Sequence, residues 1–322
     1  MPSRIRILAG QCARFLYRRL PLPLSVKWRI KSFLYRHLGA LLKSSANYQQ
    51  WLIQTAATRP ATVQAADPAT VSPPPPPVPP PMVEIGPEGI EGLTARLQFV
   101  APEEPPVSVI VPAFNQIEYT VRCLASLHQH PPEVSYELIV VDDASSDATE
   151  RLLSHMPGLR YLRNPENLGF LRTANRGATQ ARGHYLLFLN NDTQVLPGWL
   201  DRLVEVFTTH PDTGIVGAKL IYPSGHLQEA GAALRRDGTV DLIGLNDDPA
   251  KPQYNIMREV DHCSGACLLI ETALFRDLGG FDEIYAPAYF EDCDLSLRVR
   301  ERGRKIIYQP AAEAIHHLSV TT

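Results

Sequence analysis

The sequence of 322 residues has no run of 18 or more consecutive apolar residues, and its start lacks an apolar stretch followed by a small-residue cleavage site. We therefore predict neither a membrane-spanning helix nor an exported protein. Cysteine is scarce and odd in number, at positions Cys12, Cys123, Cys263, Cys267 and Cys293. Such a scattered set argues against a disulfide framework and favours the reducing cytoplasm. Cys263 and Cys267 have no second Cys/His pair at zinc spacing, so we expect them to pack in the core within a strand.

Acidic residues are absent from the first 66 positions, which carry eleven Arg or Lys. Of the 31 basic and 34 acidic residues in the chain, 12 and six lie in residues 1–106, which leaves 19 and 28 for the remainder. The first part is therefore +6 and the second −9. Cationic and apolar side chains alternate through residues 1–56, which predicts a basic amphipathic helical arm. The pattern fits peripheral contact with the inner face of the cytoplasmic membrane and packing against a protein equally well.

Proline dominates the next segment, residues 57–105, and reaches its highest density in the run PPPPPVPPP at 73–81. Proline has no backbone N–H and favours the extended polyproline II conformation. We interpret this segment as a semi-rigid linker.

From residue 106 onwards the sequence alternates between strand and helix patterns. Short β-branched and apolar runs predict strands covered on both faces. Segments with helical spacing separate them. This alternation predicts parallel βαβ units, with ligands at the carboxyl ends of the strands. The predicted strands are 107–114, 137–141, 159–162 and 185–189, and the predicted helices are 119–128, 147–155 and 171–182.

Polar side chains follow three of the predicted strands, in the stretches PAFNQIE, DDASSD and NNDT. Turns and helix caps explain part of this pattern. They explain the adjacent Asp142 and Asp143 poorly, because neighbouring carboxylates repel each other unless donors lie between them, and a ligand would supply donors. Neither a GxxxxGK[ST] loop nor a GxGxxG loop follows the first strand, which disfavours an ATP-type or dinucleotide site. A nucleotide diphosphate bound here would need a divalent cation or basic side chains to meet its charge.

Four stretches carry a family resemblance in their order and spacing: VSVIVPAFNQIEYTVRCLASL, ELIVVDDASSDAT, NPENLGFLRTANRGATQARGHYLLFLNNDT and FEDCDLSLRVRERG. From about residue 107 to 317 the chain resembles the family 2 glycosyltransferases with the GT-A fold. The resemblance implies an α/β domain over 106–322, with a Rossmann-like, mixed but mainly parallel sheet flanked by helices. Two later segments, 217–234 and 262–283, are similar to members that build bacterial surface polysaccharides.

The resemblance also implies a donor site for a nucleotide-diphosphate sugar. Most members end the fourth strand in Asp-x-Asp and bind Mg²⁺ or Mn²⁺ through the last carboxylate. Here Asn190 replaces the first acid and Asp192 is the implied metal ligand, together with His316 or, alternatively, His317. An amide oxygen can still ligate a hard cation, and substrate phosphates would complete the shell. The implied nucleotide-sugar residues are Pro112, Asn115, Glu118, Asp142, Asp143, Asn167, Gly169, Asn175, Asn190 and Asn191, with Gly177 in the same stretch.

The stretch AYFEDCDLSLRVRERG places three acids at or before the start of a predicted helix. Acids are favoured there by the helix dipole, but by well under ~1 kcal/mol each when exposed. Because Glu291, Asp292 and Asp294 exceed what capping needs, and because the resemblance assigns a catalytic role to the acid pair, we predict Asp292 as the general base, with Glu291 beside it. An aromatic group that would stack on a sugar ring comprises Phe281, Tyr285, Tyr289 and Phe290.

These expectations together describe an inverting, metal-dependent glycosyltransferase of cell-surface polysaccharide synthesis. Its partners would be a nucleotide-diphosphate sugar and a glycan or lipid-linked acceptor, with no nucleic acid. A sugar nucleotidyltransferase is one alternative, but it needs a Gly-rich, basic phosphate loop where PAFNQ stands. A non-catalytic adaptor that keeps the fold is another. The chain ends five residues after His317, where relatives commonly continue, so we expect a truncated form or one module of a longer protein.

Overall fold

The computed structural model describes residues 77–236 and 238–318. The arm predicted at 1–56 and the linker up to residue 76 lie outside the described residues. Within the described ranges, no helix combines the length and the hydropathy that a membrane span requires.

Strands and helices alternate through the first half of the described chain, as predicted. The strands are β1 Val107–Ala113, β2 Tyr136–Asp142, β3 Leu159–Arg163, β4 Tyr185–Leu189, β5 Thr193–Val195, β6 Thr213–Ile221, β7 Leu227–Glu229, β8 Ala232–Leu234, β9 Val240–Leu242, β10 Arg258–Val260, β11 Cys267–Glu271 and β12 Lys305–His316. The α-helices are α1 Gly89–Ala95, α2 Ile117–Gln129, α3 Thr149–Leu153, α4 Phe170–Gln180, α5 Trp199–Thr209, α6 Thr272–Asp277 and α7 Glu291–Glu301, and short 3₁₀ turns span Pro252–Tyr254 and Glu283–Tyr285.

One large mixed sheet organises these elements, in the strand order β10-β12-β6-β11-β4-β1-β2-β3. Strands β4, β1, β2 and β3 are parallel neighbours, and β6 and β12 form a second parallel pair. Strand β11 joins the two groups by antiparallel pairing with β4 and β6. Strands β8 and β9 form a separate two-stranded ribbon. The predicted α/β class with a mixed, mainly parallel sheet is confirmed.

Both faces of the sheet are buried. Successive side chains of a strand point to opposite faces, so neighbouring residues of one strand join different apolar clusters. In β1, Val109 and Val111 join one apolar cluster and Ile110 joins the other. Helices α2 and α5 contribute to the first cluster, and helices α4 and α7 contribute to the second. This two-sided covering is the physical reason that the strands read as continuous apolar runs.

The described cysteines are free thiols, and Cys263 and Cys267 are buried in the core as predicted. Only Cys267 lies in a strand, at the start of β11. Cys263 belongs to the preceding loop, where its Sγ lies 3.9 Å from the carbonyl oxygen of Ile307.

Candidate functional site

The loop after β1 is tied to the loop after β2 at the carboxyl edge of the sheet. Asn115 has a left-handed backbone, with φ at 53°. Its backbone N–H donates to Ser145 Oγ at 2.7 Å, and its side-chain oxygen accepts from the Ser146 N–H at 2.8 Å. Pro112 is buried within β1, whereas Glu118 is exposed on the first turn of α2. The structure thus brings Asn115 and Glu118 to this edge and keeps Pro112 inside the strand.

Asp142 is fully buried, and donors of the chain itself surround it. Its carboxylate accepts from the Ser145 N–H at 2.9 Å and contacts Tyr161 Oη and the Arg163 guanidinium. Burial and the bond to Asp142 raise the pKa of Tyr161, so the phenol keeps its proton. The inference that adjacent carboxylates require donors from a ligand is therefore wrong for Asp142, because the protein provides them.

Asp143 shapes the loop that follows β3. Its two carboxylate oxygens accept from the Asn164 side chain at 2.6 Å and from the N–H groups of Leu168 and Gly169 at 2.8 and 2.9 Å. This loop carries Asn167 to the surface. Gly169 is required at its end, because φ is 84° and a Cβ there would lie 2.6 Å from Pro287.

Asn175 and Gly177 both make close contacts within the protein. The Asn175 amide donates to the Phe281 carbonyl at 2.8 Å and accepts from the Phe281 N–H at 2.9 Å. A Cβ at Gly177 would lie 2.5 Å from Ile110, so this glycine allows α4 to pack closely on β1. Both residues therefore help to position α4.

The polar end of β4 divides between the core and the candidate site. Asn191 is buried and donates to Thr120 Oγ1 on α2 at 2.9 Å, so its predicted role in sugar binding is corrected to a link between strand and helix. Asn190 and Asp192 turn towards His316 at the end of β12. His316 Nε2 lies 3.3 Å from Asp192 Oδ1 and 3.3 Å from Asn190 Nδ2.

The environment of His316 suits a metal-ligating histidine. Its Nδ1 lies 2.9 Å from Gln228 Oε1, which can only accept, so Nδ1 donates, and in the neutral ring Nε2 keeps a lone pair on the side of Asp192. The Asn190 side-chain oxygen is buried and has no hydrogen-bond partner among the described residues. A carboxylate and an imidazole nitrogen therefore meet at one point, with the Asn190 amide beside them, and carboxylate, imidazole and amide groups are a donor set that fits Mg²⁺ or Mn²⁺.

His317, the alternative ligand, has other contacts. Its ring lies edge-on to Tyr119 at 5.1 Å, and its Nε2 lies 3.2 Å from Gln194 Nε2. Burial lowers its pKa, so the ring is neutral at physiological pH. The contacts favour His316 as the ligand at this point.

Three acids occupy the first turn of α7, and Arg298 and Arg300 occupy the last, as the helix dipole favours. The acids have different surroundings. Asp292 accepts from the Gly265 N–H at 2.9 Å and from the Cys293 N–H at 2.8 Å, while 19% of its side chain remains exposed. Asp294 is paired with Arg298 at 2.6 Å. Asp292 is thus held in place and accessible, which a base requires.

Glu291 is buried beside this carboxylate, and one of its oxygens has no hydrogen-bond partner among the described residues. Burial and the charge of Asp292 raise the pKa of Glu291 to about 7. The residue before it, Phe290, has φ at 75°, and Tyr289 has φ at 83°, a strained backbone for two bulky side chains. Both aromatic rings are exposed at this strained turn.

Two further residues, Glu229 and His262, lie near the acids at the start of α7, and the sequence analysis did not predict them. Glu229 is buried at the end of β7 and accepts from the Ser264 N–H at 3.0 Å, and burial raises its pKa. His262 Nε2 lies 3.9 Å from Asp292 Oδ2. The sequence does show an acid, Glu229, within the largely apolar stretch HLQEAGAAL, which could have marked it as a candidate. No spacing rule, however, connects this position to α7. The aromatic group also needs correction, because Phe281 packs in the core against Phe188 and Phe275 and is unavailable for stacking.

Comparison with known proteins finds a matching family and several relatives. The model of glycosyl transferase family 2 matches residues 108–279. The chain is 30% identical over 227 residues to an uncharacterized protein, y4gI, of Sinorhizobium fredii, and 30% identical over 241 residues to the O-antigen biosynthesis protein RfbC of Myxococcus xanthus. These matches cover 67% and 70% of the chain but only 25% and 18% of the relatives. The chain is also 28% identical over 237 residues to the N-acetylglucosaminyl-diphospho-decaprenol L-rhamnosyltransferase of Mycobacterium tuberculosis, with coverage of 66% and 76%.

Two solved structures share the fold. GalNAc-T7, crystallised with UDP, GalNAc and Mn²⁺, superposes with a TM-score of 0.57 at 17% identity, covering 80% of this chain and 57% of that one. The mannosyltransferase PcManGT of Pyrobaculum calidifontis, in complex with GDP-Man and Mn²⁺, gives 0.50 at 18% identity, covering 72% and 63%.

Proposed function

The chain belongs to glycosyl transferase family 2 and has the GT-A fold, and from this premise we propose that it inverts the anomeric centre while moving a sugar from a nucleotide diphosphate to a glycan or lipid-linked acceptor. One observation carries the proposal. Gly265 donates its N–H to Asp292, and the next residue, Ala266, accepts the N–H of Asn190 at 3.0 Å. The candidate base and the candidate cation site are thus anchored to adjacent residues, as direct displacement at one sugar carbon requires.

Asp292 performs the proton transfer in this proposal. Its carboxylate takes the proton of the acceptor hydroxyl as that oxygen attacks the sugar, an effect of roughly 10²–10⁴-fold. The N–H groups of Gly265 and Cys293 fix its orientation without neutralising it. No second catalytic carboxylate is needed, because one displacement inverts the centre.

Asn190, Asp192 and His316 would hold Mg²⁺ or Mn²⁺ beside the leaving diphosphate, where a divalent cation stabilises developing negative charge. The loop formed by Asn115 and by the residues that Asp143 holds would receive the nucleotide. The exposed Tyr289 and Phe290 would meet the acceptor. Bound Mn²⁺ in the two related structures supports the cation, and UDP and GDP-Man in them support the donor class.

A role in bacterial cell-surface polysaccharide synthesis is supported by two relatives, the O-antigen biosynthesis protein and the rhamnosyltransferase that acts on a decaprenol-linked sugar. The second also supports a lipid-linked acceptor. The basic arm at 1–56 would then bring the enzyme to an anionic membrane surface. We expect pelleting of the full chain with anionic vesicles that weakens as salt rises. Equal pelleting with neutral vesicles would favour protein docking.

The decisive experiment is a screen of nucleotide sugars for Mn²⁺-dependent donor hydrolysis and transfer, followed by Asp292→Asn. We expect a loss of roughly 10²–10⁴-fold in turnover with donor binding retained. Asp294→Asn is the matched control, because it removes the same charge from the same helix turn. Wild-type turnover in Asp292→Asn would refute the base. An absence of hydrolysis with every donor, together with intact nucleotide binding, would favour the adaptor.

A further inference from the structure

A second group of metal-ligating side chains lies at the start of α7. One ligand atom each from His262, Asp292 and Cys293 lies within 4.8 Å of the others. Tetrahedral zinc with nitrogen, oxygen and sulfur ligands brings such atoms to about 3.3–3.8 Å from one another. Side-chain adjustments of about 1 Å therefore suffice to close a coordination shell.

Hydrogen bonds orient the histidine for this task. Ser296 Oγ donates its only proton to the Asp292 carbonyl at 2.9 Å, so it accepts from His262 Nδ1 at 3.2 Å. Nε2 points towards Asp292 Oδ2 at 3.9 Å, and in the neutral ring it offers a lone pair there. A cation bound between this nitrogen and the carboxylate would be stabilised by both, and an outer hydrogen bond to the other ring nitrogen is the usual support of a ligating histidine.

The third side chain decides which cation fits. Cys293 is half-buried, and burial together with the neighbouring Asp292 raises its pKa, so the empty cluster holds a thiol. A cation that binds the sulfur displaces that proton to solvent. Thiolate selects zinc and similar cations over Mg²⁺ and Mn²⁺, whereas the oxygen-rich set around Asp192 has the opposite preference.

We propose that His262, Asp292 and Cys293 form a site for a borderline or soft divalent cation such as Zn²⁺, separate from the donor-site cation. The bound cation occupies the carboxylate of Asp292. If the proposed function is correct, zinc therefore inhibits sugar transfer even when Mn²⁺ is saturating. Binding itself does not depend on that function.

Cobalt provides the direct test, because a Co²⁺–thiolate bond gives a charge-transfer absorption that oxygen and nitrogen ligands do not. The full chain, stripped with a chelator, is titrated with Co²⁺ and then with Zn²⁺ in competition. We expect the thiolate band in the wild type and its loss in Cys293→Ser and Cys293→Ala. Ser296→Ala should weaken Co²⁺ binding by about 10- to 100-fold.

Two controls separate the possible failures. Cys267→Ala removes a buried thiol outside the cluster and should keep the band, and Asp192→Ala should keep it as well. A band that survives in both Cys293 variants, or no band in the wild type, overturns the proposal. Absence of any glycosyl transfer, by contrast, would count against the proposed function and leave the cobalt result intact. Relief of zinc inhibition in Cys293→Ser, measured relative to the activity of that same variant with Mn²⁺ alone, would connect the two sites.

Discussion

Glu137 at the amino end of the sheet and the acids Glu229, Glu291 and Asp292 at the carboxyl end have different surroundings. At the amino end, Glu137 accepts from Ser108 Oγ at 2.6 Å and from the Arg182 N–H at 2.7 Å, and it forms ion pairs with Arg160 and Arg182. At the carboxyl end, no Lys or Arg within the described ranges forms an ion pair with Glu229, Glu291 or Asp292.

The pKa values follow this difference. Burial alone would raise the pKa of Glu137, but the bonds from Ser108 and Arg182 and the charge of Arg160 outweigh it and lower the pKa. Burial raises the pKa of Glu229 and Glu291, and Asp292 adds to both effects. At the amino end, Glu137 links neighbouring strands and the arginines beside them. At the carboxyl end, Glu229, Glu291 and Asp292 lie close together without an ion pair to a described Lys or Arg, and such a group of acids is typical of a functional site.

Removing the predicted metal ligand should have the largest effect. Asp192→Ala removes the only carboxylate of the donor-site set, so we expect nucleotide-diphosphate binding to lose its gain from Mn²⁺ and turnover to fall by at least about 100-fold. Calorimetry with Mn²⁺ and with chelator measures the first effect. Asp212→Ala, which removes an exposed acid paired with Lys305, is the control. Equal nucleotide affinity in chelator and in Mn²⁺ for the wild type would contradict a metal site here.

A change at the amino end should cost stability and spare function. Glu137→Gln keeps the shape but removes the charge between two arginines, and we expect a loss of about 2 kcal/mol in the free energy of unfolding, below the range for fully buried pairs because both arginines reach water. Because folding lowers this pKa, the stabilisation is present above the ordinary value of 4.5 and disappears as pH falls through the folded value. Urea unfolding at pH 7 and at pH 3 tests this.

Glu205→Gln removes an exposed pair with Arg202 and should change stability by no more than about 1 kcal/mol. If Glu137→Gln impaired nucleotide binding while folded, the proposed division between the two ends would fail.

For Glu291 we expect the opposite pH dependence of stability from that of Glu137. Its folded pKa, about 7, lies above the ordinary 4.5, so the charged form is penalised and stability falls as pH rises from 4.5 through 7. Glu291→Gln removes this penalty, and we expect it to stabilise the protein by on the order of 1–2 kcal/mol at pH 8 and very little at pH 4.5, because the titration is shared with Asp292. Thermal unfolding in chelator measures the difference.

Glu301→Gln, an exposed acid at the other end of α7, should show no such pH dependence. A Glu291→Gln variant that is less stable than the wild type at pH 8 would mean that an unseen donor satisfies this carboxylate.

The fold could be predicted because its central strands have a recognisable local sequence pattern. A strand buried on both faces must be apolar at every position, so 107–114 and 185–189 were assigned within one residue of the observed bounds. The edge strand β3 is half-buried, and its predicted range, 159–162, ends one residue before the observed strand does. The short strands β7 to β10 had no such pattern, since three residues are too few to establish a period.

The contacts within the candidate site could be predicted only where a motif marks the residues. Asp192 and His316 are 124 positions apart in the sequence, yet the family resemblance implies that both are ligands of the same cation. In the structure, their side chains lie 3.3 Å apart. Asn175 and Asn191 lie in the same motifs, but a motif does not reveal which way a side chain points, and both face protein. Glu229 and His262 come close to the acids of α7 because β7 packs against the loop before β11. No local sequence pattern encodes that packing.

A substitution at Asn190, at the carboxyl end of the sheet, should have the smallest of these effects, a change in the affinity for free Mn²⁺. Asn190→Asp restores the acid that relatives carry, and its oxygen would replace one that is buried without a partner among the described residues. A second carboxylate adds charge to the ligand set, so we expect affinity for free Mn²⁺ to rise several-fold, under about 1 kcal/mol, because burial opposes the new charge. Calorimetry without nucleotide measures it, with Asn191→Asp as the control that should weaken folding instead, since Asn191 donates to Thr120 in the core. Unchanged metal affinity in Asn190→Asp would place the cation away from this side chain and leave Asp192 and His316 as its ligands.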